Sequence, residues 1–369
     1  MNLSIAKDQL LAGLQAVQNI VSTRTTLPVL SNVLLRAEQD RLALTATDLD
    51  VTISCSVSAN VKRPGTTTIP VKKLVSITRE LGSSEIEMDT DDKNVTSVRS
   101  GSSHFRVRGL GSEEFPAAPK FQDDRKVEIP QEKLRTMLKR TSFATSSDES
   151  RYVLNGIFFS LREQKLSLIA TDGRRLAMAE EEADAGERSQ GDFIVPSKAV
   201  NELTRLLQEK GQTRILIGEN QASFNLIDEQ GNATTLITKL IEGNYPNYRQ
   251  VIPGEPKERV AISREDLLHA LRRAEIMTSE KQNSVKLAFT KNNLAISANA
   301  PDLGEAQESL AINYKGVDLA VAFNPGYLID PLNALSNDEV FLELIDELSP
   351  GVLKINGPFL YVVMPMRLT

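Results

Sequence analysis

One short pattern recurs six times from end to end of this 369-residue chain, and it limits the fold more than any other feature. It reads apolar, usually a turn or cap residue, three mixed residues, then apolar: Ile5–Leu10, Ile69–Leu74, Ile129–Leu134, Val195–Val200, Ile262–Leu267 and Phe323–Leu328. Successive copies start 64, 60, 66, 67 and 61 residues apart. Self-similarity at a near-constant period marks a supersecondary unit used repeatedly. Each copy opens a helix by ordinary rules. Pro70, Pro130 and Pro196 suit a first turn, where a missing N–H costs nothing, and Ser263 and Asn324 suit the cap. Helical spacing follows in Leu134 and Leu138, and in Leu267 and Leu271. Between the helices, Arg41–Ala46 and Lys165–Ala170 alternate as half-buried strands do. The unit is one strand, one helix and a short run of antiparallel strands.

Pairs of units repeat at a longer period. Leu42-Ala-Leu-Thr-Ala-Thr-Asp48 recurs as Leu166-Ser-Leu-Ile-Ala-Thr-Asp172 at an offset of 124, and as Leu294-Ala-Ile-Ser-Ala-Asn-Ala300 at a further 128. The expected class is therefore α+β, in three similar domains. Their boundaries fall at 1–123, 124–251 and 252–369, in the polar, proline-bearing stretches around Pro116–Asp124 and Asn244–Glu258.

A formal charge of −6 argues at first against nucleic acid. Sorted by element, however, the six helical windows sum to +5 and the remainder to −11. Helices gathered on one side would present a basic face to a phosphate backbone. Helix propensity and i,i+4 pairing also favour Lys and Arg on helix surfaces, so both readings stand on charge alone.

Enzyme signatures are missing. The chain has no phosphate cradle, nucleophile elbow or H-E-x-x-H, and Gly109-Leu-Gly111-Ser-Glu-Glu114 lacks the third glycine of a dinucleotide fingerprint. His104, on a strand with Arg106 and Arg108, and His269, between leucines on a helix, have no sequence-local metal-ligand partner. Asp48 and Asp50 offer the best alternative, a Mg²⁺-dependent phosphodiesterase, against a turn in which Asp side chains bond the backbone. The internal copies favour the turn, because the second reads Thr171-Asp172-Gly173-Arg174. No catalytic residue, metal or cofactor is expected. The single Cys55 excludes an internal disulfide and points to a reducing, cytoplasmic setting. No window approaches the ~18 apolar residues of a membrane helix, and no leader is evident.

The chain resembles the bacterial DNA polymerase III β-subunit, or sliding-clamp, family along its whole length. The residues that carry this are Arg24-x-x-Leu27-Pro28-x-Leu30, Thr47-Asp48-Leu49, Arg99-Ser100-Gly101, Phe115-Pro116, Arg151-Tyr152-x-Leu154-Asn155-Gly156, Ala170-Thr171-Asp172-Gly173-x-Arg175-Leu176, Phe193-Ile194-Val195-Pro196, Tyr245-Pro246-x-Tyr248 and Tyr361–Leu368. The resemblance implies a DNA clamp fold in which two chains close head to tail into a ring, helices inside and sheets outside. It implies no enzymatic activity, with double-stranded DNA encircled without sequence preference. The implied partners are a clamp loader, the polymerase III α subunit and other polymerases or repair proteins, near the nucleoid.

Position by position, the resemblance implies DNA-backbone contacts by Arg24, Lys72, Lys73, Tyr152 and Lys198, while Asp148 replaces a polar contact residue of some relatives. A groove for short hydrophobic partner peptides would use Arg151, Leu154, Thr171, Gly173, Arg174, Leu176, Pro246, Val251, Tyr327, Val362, Met364, Pro365 and Met366. Leu, Val and Pro make a slot for an apolar anchor, and methionines make adaptable walls. Arg174 and Gln250 stand where some relatives carry His and Arg, and Thr369 is an extra terminal residue. The ring joint would pair Phe105 and Val107 with Ile276 and Met277.

Overall fold

The computed structural model describes residues 1–21, 27–119, 121, 125–186, 189–279, 283–300 and 304–367. Arg24 and Thr369 lie outside these described residues. Six α-helices occur among the described residues: α1 (Lys7–Val17), α2 (Val71–Glu80), α3 (Gln131–Thr141), α4 (Ser197–Leu206), α5 (Arg264–Glu275) and α6 (Pro325–Ala334). Each follows directly on one of the six repeat openings. Ser263 and Asn324 cap α5 and α6 by accepting from the Asp266 and Tyr327 N–H groups. Pro70 differs from expectation by one residue: it is the extended last residue of a strand and the N-cap of α2. Pro130 and Pro196 likewise end strands. A proline at such a terminus removes no ladder bond that the sheet needs.

The chain divides into two compact units. The first comprises Met1–Arg135, Ala183–Gln190 and Asn201–Leu240, and the second Thr136–Glu182, Gly191–Val200 and Ile241–Thr369. In the first unit, a five-stranded sheet has the order Asn60–Arg63, Asn2–Ala6, Glu85–Thr90, Val95–Ser100 and Ser103–Arg108. A nine-stranded sheet runs Asp184–Ala185, Lys126–Pro130, Gln212–Ile217, Gln221–Ile227, Ala233–Lys239, Val51–Ser58, Arg41–Thr47, Asn32–Glu38 and Gly65–Pro70. Its midpoint joins residues far apart in sequence, with Thr52 opposite Ile237 and Cys55 opposite Thr234.

The second unit repeats the plan. Its eight-stranded sheet runs Gly191–Pro196, Gly156–Arg162, Lys165–Thr171, Arg175–Glu182, Phe359–Val363, Gly351–Lys354, Glu339–Leu344 and Glu258–Ser263. The join here pairs Leu176 with Val362 and Ala177 with Tyr361. A four-stranded sheet has the order Gly304–Ala311, Asn293–Ala300, Val285–Thr290 and Leu319–Phe323.

The helices pack by their apolar stripes. Leu10, Leu14 and Val17 of α1 are fully buried, and a Cβ on Gly13 would stand 2.9 Å from a Leu44 methyl, so α1 lies close on its sheet. In the second unit α5 buries Leu267, Leu268 and Leu271 and packs beside α6. Each such leucine contributes roughly 1.5–3 kcal/mol of transfer free energy. No helix of the described residues is long and apolar enough to cross a membrane.

Candidate functional site

At one end of the eight-stranded sheet, a tight turn and the segment after the last strand lie side by side. Thr171 Oγ1 accepts the Gly173 N–H at 3.1 Å, and Asp172 Oδ1 accepts the Arg174 and Arg175 N–H groups at 2.9 and 3.1 Å. Gly173 has φ +87°, a region open to glycine without cost. A Cβ there would also meet Arg151 Nη1 at 2.8 Å. Arg151 is held over the turn by Asp148 Oδ2 at 3.0 Å and by the Asp172 carbonyl at 2.8 Å. Asp148 also caps the Glu149–Leu154 segment. The bonds from Ser150 and then Arg151 keep its carboxyl below the usual carboxylate range.

The floor is apolar. Leu176, Val362, Ile169 and Val352 form one buried cluster, with Phe158, Met178, Tyr245, Tyr248, Ile252 and Leu360 packed against it. Leu154 is buried as well. Tyr245 stacks on Phe158 with centroids 4.8 Å apart, which seats Pro246 beside the cluster. Three of the expected groove residues stay open to solvent: Val251, Met364 and Met366 are 47%, 43% and 38% exposed. Met364 and Met366 are pinned through their backbone, donating to the Arg174 carbonyl at 2.9 Å and the Ala322 carbonyl at 2.7 Å. The expected groove residues Leu176, Val362 and Met364, with Arg151, Thr171, Gly173 and Arg174, are thus brought to one place by strand pairing across almost 190 residues of sequence. Exposed methionines and a guanidinium close to an apolar cluster are side chains that suit an apolar peptide anchor.

Arg175 was not among the expected site residues, yet it ties the walls together. Its Nε meets Asp172 Oδ2 at 3.0 Å, its Nη1 meets Asp330 Oδ2 at 2.5 Å, and its Nη2 donates to the Phe143 carbonyl at 2.6 Å. The guanidinium carbon lies 4.5 Å from the Tyr327 ring centroid, and the Tyr361 hydroxyl donates to the Tyr327 carbonyl at 2.6 Å. Burial opposes the Arg175 charge, but Asp330 first, then Tyr361 and Asp172, outweigh it and hold the group more firmly protonated than usual. The signal was present as an Asp172…Arg175 charge pair at i,i+3.

The other expected residues fall as follows. Lys72 and Lys73 are exposed on the first turn of α2, Lys198 is exposed on α4, and Tyr152 is 57% exposed. Phe105, 40% exposed, and half-buried Val107 sit on Ser103–Arg108, an edge strand of the five-stranded sheet that also carries exposed His104, Arg106 and Arg108. Ile276, 70% exposed, and half-buried Met277 follow α5. In the same unit the strand Gly304–Ala311 is an edge too and carries Glu305 and Glu308. Asp48 Oδ1 accepts the Asp50 and Val51 N–H groups at 3.0 and 2.7 Å, and Asp50 pairs with Lys239 at 2.9 Å, so the hydrogen bonds support the turn reading there. No group of three or more metal-ligating side chains occurs among the described residues.

Three family models match the chain in succession: the N-terminal domain of the DNA polymerase III beta subunit over residues 1–119, the central domain over 128–247 and the C-terminal domain over 249–367. The chain is 36% identical over 372 residues to the beta sliding clamp of Haemophilus influenzae, with full coverage of both. It is also 36% identical over 368 residues to that of Chlamydia muridarum, covering all of this chain and 99% of the relative. A crystal structure of the Pseudomonas aeruginosa sliding clamp bound to griselimycin superposes with a TM-score of 0.94 at 34% identity, covering 100% of each chain. On sequence and on fold alike, this chain belongs to the DNA polymerase III beta subunit family, the bacterial sliding clamps.

Proposed function

We propose that this chain is the processivity clamp of DNA replication: a noncatalytic subunit that encircles duplex DNA as a homodimer and tethers polymerase III and other replication or repair proteins through the groove. The observation that carries this reading is the apolar cluster of Leu176 and Val362 next to the Thr171–Arg174 turn, with Arg151 bonded over that turn and Met364 and Met366 exposed just after the last strand. Griselimycin, bound by the Pseudomonas aeruginosa relative, is a ligand to try on this chain.

The ring would place Lys72, Lys73, Tyr152 and Lys198, together with Arg24, toward the duplex, and the acidic remainder toward solvent. Topology would then retain the DNA, so weak, sequence-independent phosphate contacts suffice and sliding stays free. Two edge strands of opposite charge support a head-to-tail joint. Ser103–Arg108 offers His104, Arg106 and Arg108 beside Phe105 and Val107, while Gly304–Ala311 offers Glu305, its Glu308 being held by Arg273 of α5 at 2.7 and 2.8 Å, with Ile276 and Met277 in the same unit. Two such heterologous contacts close a dimer. In this reading the three domains are 1–123, 124–251 and 252–369, a separate loader supplies ATP hydrolysis, and the protein works in the cytoplasm.

The test is retention on DNA. Loaded on nicked circular duplex, the protein should stay bound through gel filtration and leave once the circle is linearised. Equal retention on linear and circular DNA, or metal-dependent hydrolysis lost in Asp48→Ala, would replace this reading.

A further inference from the structure

The most exposed sulfur of this chain is gathered in one place. Of its seven methionines, Met1, Met88 and Met137 are buried and Met178 and Met277 half-buried; Met364 and Met366 are the exposed pair. The single thiol, Cys55, is buried, and burial pushes it up to about 12, which leaves almost no thiolate at neutral pH. Met364 and Met366 are therefore the methionines most open to an oxidant in solution, ahead of the half-buried Met178 and Met277. Both residues are exposed with their backbone fixed by the Arg174 and Ala322 carbonyls, so they are presented without any opening of the fold.

We propose that Met364 and Met366 are an oxidation site that releases docked peptides, a reading that rests on the docking function of the groove. The oxidant is a peroxide: the thioether sulfur gives an electron pair to one peroxide oxygen, the O–O bond breaks, an S–O bond forms and water leaves. Sulfur loses two electrons and the peroxide gains them. Reversal follows from a sulfoxide reductase using a dithiol, which becomes a disulfide while the oxygen leaves as water. The sulfoxide is hydrated while the groove is empty, so the fold is indifferent to it. A docking peptide strips that water and buries a strong acceptor against apolar side chains, which is unfavourable.

The test uses the full chain and a fluorescein-labelled hexapeptide whose apolar residues are leucine and phenylalanine. Affinity is measured before and after hydrogen peroxide, with one added oxygen at each of Met364 and Met366 mapped by mass spectrometry. The wild-type Kd should rise on the order of 10-fold, with Tm unmoved, and return after treatment with methionine sulfoxide reductases and dithiothreitol. In the double variant Met364→Leu, Met366→Leu, the ratio of treated to untreated Kd should stay at one, whatever its starting affinity. Unchanged affinity of wild type carrying both oxygens would overturn the proposal, as would an equal loss in the double variant. If the untreated wild-type chain did not bind the peptide, the docking reading would fail first, and this proposal with it.

Discussion

The chain builds the same junction twice and gives the two copies different surfaces. In the first unit, Thr47 Oγ1 accepts the Leu49 N–H at 3.1 Å, Asp48 caps the next two N–H groups, and the Lys239 N–H donates to the Asp50 carbonyl at 2.9 Å. In the second, Thr171, Asp172 and Gly173 repeat the turn, and the Met364 N–H donates to the Arg174 carbonyl at 2.9 Å. Strand register aligns the rest: Thr52 answers to Leu176, Ile237 to Val362, and Ser54 and Thr235 to Met178 and Leu360. The first junction is lined by hydroxyls and carries the Asp50–Lys239 ion pair where the second has Arg174 and Met364. Backbone plan and docking chemistry are therefore separable. The fold supplies a place where two strands from distant sequence meet, and side chains decide whether that place takes a peptide.

The largest expected effect comes from the residue that has no counterpart in the first junction. Val51 occupies the position equivalent to Arg175, so the cation joining Asp172, Asp330 and the Phe143 carbonyl exists only beneath the groove. The Arg175 and Asp172 side chains are only 10% and 16% exposed. Arg175→Ala leaves Asp172 without its buried partner, while Asp330, 41% exposed, can turn to water, and should cost about 3 kcal/mol, as loss of one partner from a buried pair does. Urea denaturation would show it as a lower midpoint, with peptide affinity falling as well. A loss below about 1 kcal/mol would mean that the groove walls stand without this node, and that the two junctions are more alike than their charges suggest.

Backbone strain gives the next contrast, with opposite signs. Leu49 adopts φ +79° and Gly173 φ +87° at the same turn position. A leucine there is strained, whereas glycine is not. Gly173→Ala should cost about 1–2 kcal/mol, from strain and from crowding Arg151 Nη1, and should narrow the groove rim. Leu49→Gly should stabilise by up to about 1 kcal/mol, relief of strain exceeding the entropy glycine adds to the unfolded chain. Thermal melts of both variants decide the matter. If both destabilise, the exposed Leu49 side chain holds contacts that outweigh its strain.

The alternation in Arg41–Ala46 and Lys165–Ala170 was enough to place two strands and the buried face of the first, because period-two burial is a local property; in the second Ile169 is buried too, in the cluster with Leu176 and Val362, which alternation alone does not show. Five of the six helices followed from caps and prolines for the same reason, and the first from its place in the repeat. The joins at Thr52–Ile237 and Leu176–Val362 were beyond such reasoning, since they pair residues nearly 190 positions apart and leave no local trace. Groove positions such as Leu154, Met364 and Pro365 came only through resemblance to a family. The resemblance included Arg175 among its motif residues but gave it no role in the site, since that role depends on Asp330 and Phe143 arriving from elsewhere in the fold. Charge was legible once placed by element, whereas the sheet edges that carry Arg106 and Glu308 became visible only as edges.

The smallest effect tests the claim of separability itself. The Lys239 and Asp50 side chains are 53% and 69% exposed, and their 2.9 Å contact spans the mouth of the first junction. Exposed pairs of this kind contribute about 0–1 kcal/mol, because solvent screens them and ordering two side chains costs entropy. Lys239→Ala should therefore lower stability by less than about 1 kcal/mol and leave the strand join intact, because the Lys239 N–H keeps its bond to the Asp50 carbonyl. Hydrogen exchange at the Lys239 amide reports on that bond directly. Protection unchanged in the variant would place the stability of the junction in its backbone ladder, with side chains free to specialise; lost protection, or a cost above about 2 kcal/mol, would show that this ion pair holds the strands together, well beyond what an exposed pair contributes.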